Sequence, residues 1–238
     1  MLAASERPRT PQKVFDRVAP YYDTLNSLLS LGIDRTWRRR VARSLELAPG
    51  AQVLDVATGT GALALEIVRG AARGVSVTGC DINERMLTVA ARRIDKARAG
   101  VTLVRCDAMR LPFDDAAFDA ATLAFAIDDM PDRVRCVGEI RRVLKRHGRL
   151  ALLELAQPDK EPMRSAYRMY LRTFRLLRGV SIEGYDHLEK EILTYRGASA
   201  IESLLASAGF VNYRHVSLTL GIARLHLAEK SGEMGGEV

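Results

Sequence analysis

Cysteine, histidine and long apolar runs are all scarce in this sequence of 238 residues, and each scarcity argues against a class of protein. The three cysteines stand far apart with no paired Cys-x-x-Cys, which argues against a disulfide framework and favours a reducing, cytoplasmic compartment. His147, His215 and His226 have no partner pattern typical of a metal site. No apolar segment is long enough to span a membrane, and the first twelve residues are too charged for a signal peptide. We therefore expect a cytoplasmic protein without a metal.

The composition that remains is that of an ordinary globular protein. Hydrophobic residues make up 47% of the chain and charged residues 27%. The length suffices for one α/β domain with its own core. The formal net charge of +7 would suit an anionic partner, either a nucleic acid or a membrane surface. Composition alone therefore leaves the function open.

The stretch from Val53 to Gly61 is the part around which the rest of the chain is arranged. It begins as an apolar strand and breaks into small residues, after which helical spacing starts at Ala62. Gly59 and Gly61 lack the Cβ atoms that would keep a ligand away from the backbone, and a helix N-terminus offers unpaired N–H donors. Since many strand-to-helix turns are rich in glycine for steric reasons, the stretch is a weak signal by itself.

Two acids at the ends of later strands strengthen this interpretation. Asp81 follows the apolar run 75–80 and stands twenty residues after Gly61, where an acid can accept hydrogen bonds from ribose hydroxyls. Asp107 ends a similar run, 101–106, and its carboxylate could accept from an adenine amino group. The structural alternatives are a helix cap for Asp81 and a turn-forming role for Asp107. Together with the glycines, the two acids would surround one nucleoside.

Strands and helices alternate along the chain, which predicts an α/β fold with a doubly wound, mostly parallel sheet of seven strands. The predicted strands are 51–57, 75–80, 101–106, 118–125, 148–155, 211–218 and 222–228, and the last two form a C-terminal antiparallel hairpin. The predicted helices are 13–31, 34–47, 61–70, 83–98, 131–146, 161–178, 183–192 and 197–208, with a hinge at Gly32 between the N-terminal pair. We expect a disordered arm over 1–12, a single domain over 13–230 with a helical lid insertion at 157–196, and a disordered tail over 231–238.

The motifs carry a resemblance that covers almost the whole chain, from Val14 to about Lys230. A nicotinamide site would need a third glycine where Ala64 stands. The chain resembles instead the class I S-adenosylmethionine-dependent methyltransferases and, more narrowly, the ubiquinone/menaquinone biosynthesis C-methyltransferase family. The segments that carry the resemblance are Phe15-Asp16-Arg17-Val18-Ala19-Pro20-Tyr21-Tyr22-Asp23, 30–39, 55–61, 81–87, 107–113 and 218–226.

This resemblance implies an enzyme that binds S-adenosylmethionine and methylates a ring carbon of a prenylated quinol such as demethylmenaquinol. By the same resemblance, the cofactor-binding residues are Asp55, Ala57, Gly59, Thr60, Gly61, Asp81, Ile82, Met86, Asp107, Ala108 and Ala124. The fourth strand lacks the Asn/Asp-Pro-Pro-aromatic motif of many enzymes that methylate nucleic-acid amino groups, so we expect no nucleic-acid partner. O- or N-methylation of another small aromatic molecule stays open, as does a non-catalytic protein that retains the fold, and a homodimer is not excluded.

Departures from the family's pattern fall where the acceptor should meet the methyl group. The family usually has Phe-Gly-Ile-Arg-Asn-Val where this chain reads Phe125-Ala126-Ile127-Asp128-Asp129-Met130, so carboxylates replace a cation. Asp128 is a candidate general base, or it could pair with an arginine from 164–178. A further alternative, at least as strong for Asp129, is a cap for the helix that begins near Pro131.

Two further candidates for the active site lie outside that loop. His187 replaces a tyrosine of the family's lid and is the best candidate for the base, unless it is simply a solvated histidine. Tyr22 is expected to close over the cofactor, and its alternative is a core aromatic.

The predicted helix 161–178 carries an apolar stripe beside a row of arginines. It could rest on a membrane surface with its arginines on lipid phosphates, or it could pack on the domain as a lid, which is the interpretation we favour. The residues expected to contact the substrate are Phe125, Asp129, Tyr167, Tyr170, Phe174 and Tyr185.

Overall fold

Seven strands form one mixed sheet in the computed structural model, which describes Ala19 and residues 22–30, 32–178, 189, 192–193, 195 and 197–232. The strands are β1 Gln52–Val56, β2 Ser76–Asp81, β3 Val101–Arg105, β4 Phe118–Ala124, β5 Leu144–Leu155, β6 Phe210–Leu218 and β7 Ala223–Lys230. Their order across the sheet is β3-β2-β1-β4-β5-β7-β6. The first five strands are parallel, and β7 runs antiparallel to both β5 and β6. The predicted fold class is confirmed.

Helices cover both faces of this sheet. They are α1 Tyr22–Leu29, α2 Asp34–Ser44, α3 Ala62–Gly70, α4 Glu84–Ala97, α5 Arg133–Val143, α6 Met163–Arg178 and α7 Ala198–Ser207. Trp37 of α2 and Tyr167 of α6 belong to the apolar cluster on one face, whereas Ile140 of α5 and Leu205 of α7 belong to the cluster on the other. The parallel part of the sheet is thus buried between two helical layers, and the edge at its strands' carboxyl ends is free for a ligand.

Helix α5 ends earlier than the sequence predicted, at Val143 rather than at residue 146, and the next strand begins at Leu144 rather than at 148. Leu144 is fully buried and pairs with Phe118 of β4, while Lys145 donates to both carboxylate oxygens of Asp119 at 2.8 Å. A Cβ added at Gly148 would lie 2.8 Å from the carbonyl oxygen of Lys145. The contacts with Phe118 and Asp119 come from a distant part of the chain, so helical periodicity could not reveal them.

Several predictions fall on residues that the structure does not describe. These are the arm 1–12, the tail from 233 onward, most of the helix 183–192, and the lid residues Tyr185 and His187. The side chain of Phe174 also lies outside the described part. The division of the chain into arm, domain, lid and tail stays a prediction. No helix among the described residues is long and apolar enough to cross a bilayer.

Candidate functional site

A cavity of about 230 Å³ opens at the carboxyl ends of β1, β2 and β4, where a doubly wound sheet binds its ligands. Eleven of the predicted site residues line it: Tyr22, Ala57, Gly59, Asp81, Ile82, Met86, Asp107, Ala108, Ala124, Phe125 and Asp129. A smaller cavity of about 30 Å³ shares some of these residues and adds Asp55 and Thr60. Gly61 lines neither described cavity. A Cβ there would lie 3.2 Å from that of Ala90, so this glycine permits close packing of α3 on α4.

The glycine-rich turn after β1 is held by a buried acid. Asp55 accepts hydrogen bonds from the hydroxyls of Thr58 and Thr122, each at 2.6 Å. Complete burial raises the pKa of Asp55 to about 6, although both threonines lower it in part. Ala57 and Gly59 have positive φ angles, 51° and 54°. Asp55 therefore holds the turn in place through its hydrogen bonds to the two threonines. It lines the smaller cavity and not the larger one.

Asp81 ties the end of β2 to this turn. One carboxylate oxygen accepts the N–H of Gly59 at 2.8 Å, and the other accepts the N–H of Asn83 at 2.8 Å. Burial raises the pKa of Asp81, and the backbone donors oppose that rise. The cap of α4 is Asn83, which accepts from the N–H groups of Arg85 and Met86, so the helix-cap alternative for Asp81 is wrong. Asp81 lies on the cavity wall, where its remaining lone pairs suit ribose hydroxyls.

Asp107 forms the turn that was one of its two predicted roles, and its contact with adenine stays a prediction. Its Oδ1 accepts the N–H of Met109 at 2.9 Å, and its carbonyl accepts the N–H of Arg110 at 2.9 Å, so it does form a turn. It also lines the cavity opposite the glycine turn. Between the two acids the wall is apolar and includes Ile82 and Met86. A nucleoside fits this arrangement, since ribose and base present polar edges at the two ends of a flat apolar surface.

The loop after β4 does not match the predicted helix cap. Ile127–Asp129 forms a short 3-10 helix, and the cap of α5 is Asp132, which accepts the N–H of Arg135 at 2.9 Å. The cap alternative for Asp128 and Asp129 is therefore wrong. Asp128 pairs with Arg133 at 2.9 Å and is not among the described residues of the cavity wall, whereas Asp129 is.

Comparisons with known proteins decide what kind of site this is. The model of the ubiE/COQ5 methyltransferase family matches residues 3–230. The chain belongs to this family. A demethylmenaquinone methyltransferase of Thermus thermophilus is 39% identical over 91% of this chain and all of that protein. A ubiquinone/menaquinone biosynthesis C-methyltransferase of Geotalea uraniireducens is 34% identical over 97% of this chain and all of that protein.

Solved structures agree with the fold of this family member. A methyltransferase of Methanococcus maripaludis, described as S-adenosyl-L-methionine-dependent and putative in function, superposes with a TM-score of 0.70. The superposition covers 98% of this chain and all of the other at 14% identity, so it bears on the fold alone. The ubiE/COQ5 family member is an S-adenosylmethionine-dependent methyltransferase, as its sequence predicted.

The aromatic residues predicted to close over the cofactor or to contact the substrate divide into two groups. Tyr22 of α1 lines both cavities, consistent with closure over the cofactor. Tyr167 is only 3% exposed and belongs to the core cluster, and Tyr170 stacks on it with ring centroids 6.2 Å apart. This packing supports the interpretation of α6 as a lid on the domain. Contact of Tyr167, Tyr170, Phe174 or Tyr185 with substrate stays a prediction.

Some residues of the site were not foreseen. Arg38 lines the smaller cavity, pairs with Asp34 and holds its guanidinium 5.4 Å from the ring centroid of Phe125. A second set, Glu154, Tyr195, Arg224 and His226, lies beside the loop after β4. The signal for Arg224 was present in the sequence, because a lone arginine between Ala223 and Leu225 in an apolar strand needs a partner. No group of three metal-ligating side chains occurs in the described part of the chain.

Proposed function

We propose that this protein methylates a ring carbon of a prenylated quinol of the demethylmenaquinol type. The observation that carries the proposal is the full-length similarity to two relatives whose names both place them in quinone methylation. The cavity supports it, because its acids and apolar wall suit the nucleoside of S-adenosylmethionine and its lining also includes Phe125 and Met130 of the loop after β4.

Each wall of the cavity then has a part in binding. Asp81 accepts from the ribose hydroxyls, and Asp107 accepts from the adenine amino group. Ile82 and Met86 lie against the adenine ring. The smaller cavity takes the methionine end, where buried Arg38 is the cation available to a carboxylate. Tyr22 closes over the bound molecule.

The protein has to align the acceptor and exclude water. S-adenosylmethionine supplies a methyl group already activated by a positively charged sulfur. Alignment for in-line attack alone contributes up to about 7–11 kcal/mol. The quinol's ring carbon becomes nucleophilic when a phenolic hydroxyl loses its proton. The new C–C bond forms as the methyl–sulfur bond breaks, sulfur keeps the electron pair, and the ring carbon then releases its hydrogen as a proton. His187 and Asp128 are the proposed bases, although Asp128 already pairs with Arg133.

A membrane-surface role for α6 is the second part of the proposal. Met169 on this helix is 66% exposed, and Arg168 and Arg172 beside it are also exposed. An exposed apolar side chain flanked by cations suits anionic lipid, and the prenyl tail of the substrate resides in lipid. Sedimentation with vesicles containing anionic lipid tests this: Met169→Glu should weaken binding, and equal binding of variant and wild type contradicts it.

The function is tested with purified protein, S-adenosylmethionine with a labelled methyl group, and chemically reduced demethylmenaquinone with a short tail. We expect a product heavier by one CH₂, with the label on the ring carbon by fragmentation. Asp81→Ala serves as the inactive control. A catechol and a small aromatic amine, run in parallel, test O- and N-methylation. Transfer to oxygen or nitrogen, or no transfer to the quinol, contradicts the proposal.

A further inference from the structure

The buried polar cluster at the start of β7, which lies beside the loop after β4, has no role in cofactor binding or catalysis as described so far. The antiparallel pairing of β5 and β7 sets Glu154 opposite Arg224, and His226 lies on the same face of β7 as Arg224. Arg224 is 5% exposed and His226 1%. A cation is therefore held inside the protein, close to the ligand edge of the sheet.

The bonds within this cluster leave part of Arg224 unused. Its Nη2 pairs with Asp159, and the guanidinium lies 5.6 Å from the ring centroid of Tyr195. The hydroxyl of Tyr195 in turn lies 3.1 Å from Nε2 of His226. Nε of Arg224 and Nδ1 of His226 are both buried and lack a hydrogen-bond partner within the described structure. A buried arginine N–H without an acceptor indicates a missing ligand oxygen, because such donors are nearly always satisfied.

The cluster adjoins the loop that separates it from the cofactor cavity. Oε1 of Glu154 lies 3.4 Å from the backbone nitrogen of Ala126 and 3.3 Å from that of Ile127, and Ala126 lines the cavity. Burial raises the pKa of Tyr195 to about 12, Arg224 opposes that rise, and the carboxylates of Glu154 and Asp128 add smaller increases. Burial also lowers the pKa of His226 to about 4, so its imidazole is neutral at pH 7. Arg224, opposite Glu154, is thus a buried cation close to the loop that follows β4.

The position of Arg224 is relevant to the departure from the family pattern in the loop after β4. The family pattern places an arginine where Asp128 stands, and Arg133 occupies the carboxylate of Asp128. The cation that is missing from the loop after β4 has a counterpart in Arg224 on β7, which lies opposite Glu154, the residue that contacts this loop. The charge near the acceptor is retained, although a different strand supplies it.

We propose that Arg224 binds a phenolic oxygen of the acceptor through its Nε–H, with Tyr195 holding the guanidinium plane and His226 holding Tyr195. The inference rests on the proposed function and names the part of the substrate that this site recognises. A cation beside a phenol favours the phenolate, which is the form with a nucleophilic ring carbon. Arginine suits the role because it stays charged at any physiological pH.

The test removes the contact from the protein and from the substrate in turn. Arg224→Met keeps an apolar chain of similar length, and Arg224→Lys keeps the charge. Arg214→Met, at an exposed position on the neighbouring strand β6, is the matched control, and Asp159→Asn removes only the ion pair. Each is assayed with the short-tailed naphthoquinol and with its two monomethyl ethers, each of which blocks one oxygen.

We expect the wild type to prefer the free quinol over one of the ethers by on the order of 10²-fold in kcat/KM. Arg224→Met should lower kcat/KM for the quinol by a similar factor while the same ether loses little, and cofactor affinity should not change. The loss of kcat/KM in Arg224→Lys should lie between that of the wild type and that of Arg224→Met. Arg214→Met and Asp159→Asn should keep the preference for the free quinol over the ether. Equal losses for quinol and ethers in both Arg224 variants would mean a purely structural role and overturn the inference.

Failure of the proposed function is recognised separately. If the wild type methylates no quinol, that function is wrong, and calorimetry with 1-naphthol and 1-methoxynaphthalene then judges Arg224 in the presence of S-adenosylhomocysteine. If the wild type binds 1-naphthol more tightly than 1-methoxynaphthalene and Arg224→Met does not, Arg224 binds the phenolic oxygen of another aromatic acceptor. Equal binding of the two compounds by the wild type overturns it.

Discussion

Ala57 and Phe125 face the cofactor cavity with φ angles of 51° and 56°, a region that glycine occupies far more easily. An L-residue in this conformation costs about 1–2 kcal/mol. Both residues stand directly after a central strand, β1 or β4, where the backbone must turn sharply to leave room for a ligand. The strain is thus concentrated where the two halves of the sheet diverge.

Relief of this strain should be measurable at position 57. Ala57→Gly should raise the free energy of unfolding by about 0.5–1 kcal/mol, because the lost strain exceeds the added entropy of the unfolded chain. Ala91→Gly, at an exposed position within α4, is the control and should lower stability by about 1 kcal/mol. Urea unfolding of both variants measures the difference, and a loss of equal size at both positions contradicts the prediction.

Asp55 should make stability depend on pH in an unusual direction. Its folded pKa, about 6, lies above the ordinary aspartate pKa of 3.8, so between these values the folded protein holds a proton that the unfolded chain has lost. Stability from this group is therefore fully present below about pH 4 and is lost as the pH rises through 6, by up to about 3 kcal/mol. Denaturant unfolding from pH 4 to 7 should show the decline in the wild type and a flatter curve in Asp55→Asn. Parallel curves would mean that another group is responsible.

Sequence patterns foresaw the residues whose roles are local. Gly59, Asp81 and Asp107 could be placed at the cavity because each stands at or within three residues of the end of a strand, and parallel strands end at one edge of a sheet. Arg224 and Tyr195 could not be placed in the same way. Their meeting depends on the pairing of β7 with β5 and on a chain path between distant elements, neither of which leaves a local pattern.

At the scale of elements, α1, the glycine turn and α4 are joined by one polar network. Thr60 in the turn donates to Asp23 of α1 at 2.8 Å and accepts from Arg93 of α4 at 3.0 Å. Arg93 and Asp23 also form an ion pair. Because Tyr22 precedes Asp23, the network connects helix α1, whose Tyr22 lines the cavity, to the glycine turn, whose Gly59 lines it as well.

Loss of this network should loosen the cofactor without unfolding the protein. Arg93→Met should weaken S-adenosylmethionine binding by about fivefold, because the side chains are only about two-thirds buried and solvent screens their charges. Arg92→Met, at the exposed neighbouring position, should leave affinity unchanged. Calorimetry measures S-adenosylmethionine affinity in Arg93→Met, Asp23→Asn and the double variant. Strictly additive losses of binding free energy would show that the two residues act independently.

Element boundaries were predicted less well than element types. The positions of Gly32, Gly59 and Gly209 indicate breaks that the structure confirms, since each has a positive φ angle at the end of an element. The end of α5 was missed because Leu144 could continue the helix by its own preference. Its burial against Phe118 decides otherwise, and that contact is visible only in the folded sheet.

For the whole molecule, cofactor binding should appear as thermal stability. A ligand at one hundred times its Kd adds about 2.7 kcal/mol when it binds only the folded state. For a chain of this length that corresponds to a rise in Tm of about 5–10 °C. S-adenosylmethionine and S-adenosylhomocysteine should both produce it, adenosine should produce less at the same concentration, and Asp81→Ala should abolish it. An undiminished shift in Asp81→Ala would remove Asp81 from the cofactor site.

The strand order has a consequence for synthesis of the protein. β7 lies between β5 and β6 in the sheet, although it follows both in the chain. During translation β6 emerges from the ribosome before the strand that it pairs with, and β5 keeps an open edge until β7 arrives. An unpaired edge of this kind recruits strands from other chains. A chain truncated before residue 223 should therefore be a target for chaperones and should aggregate, whereas a chain truncated after β7 should fold.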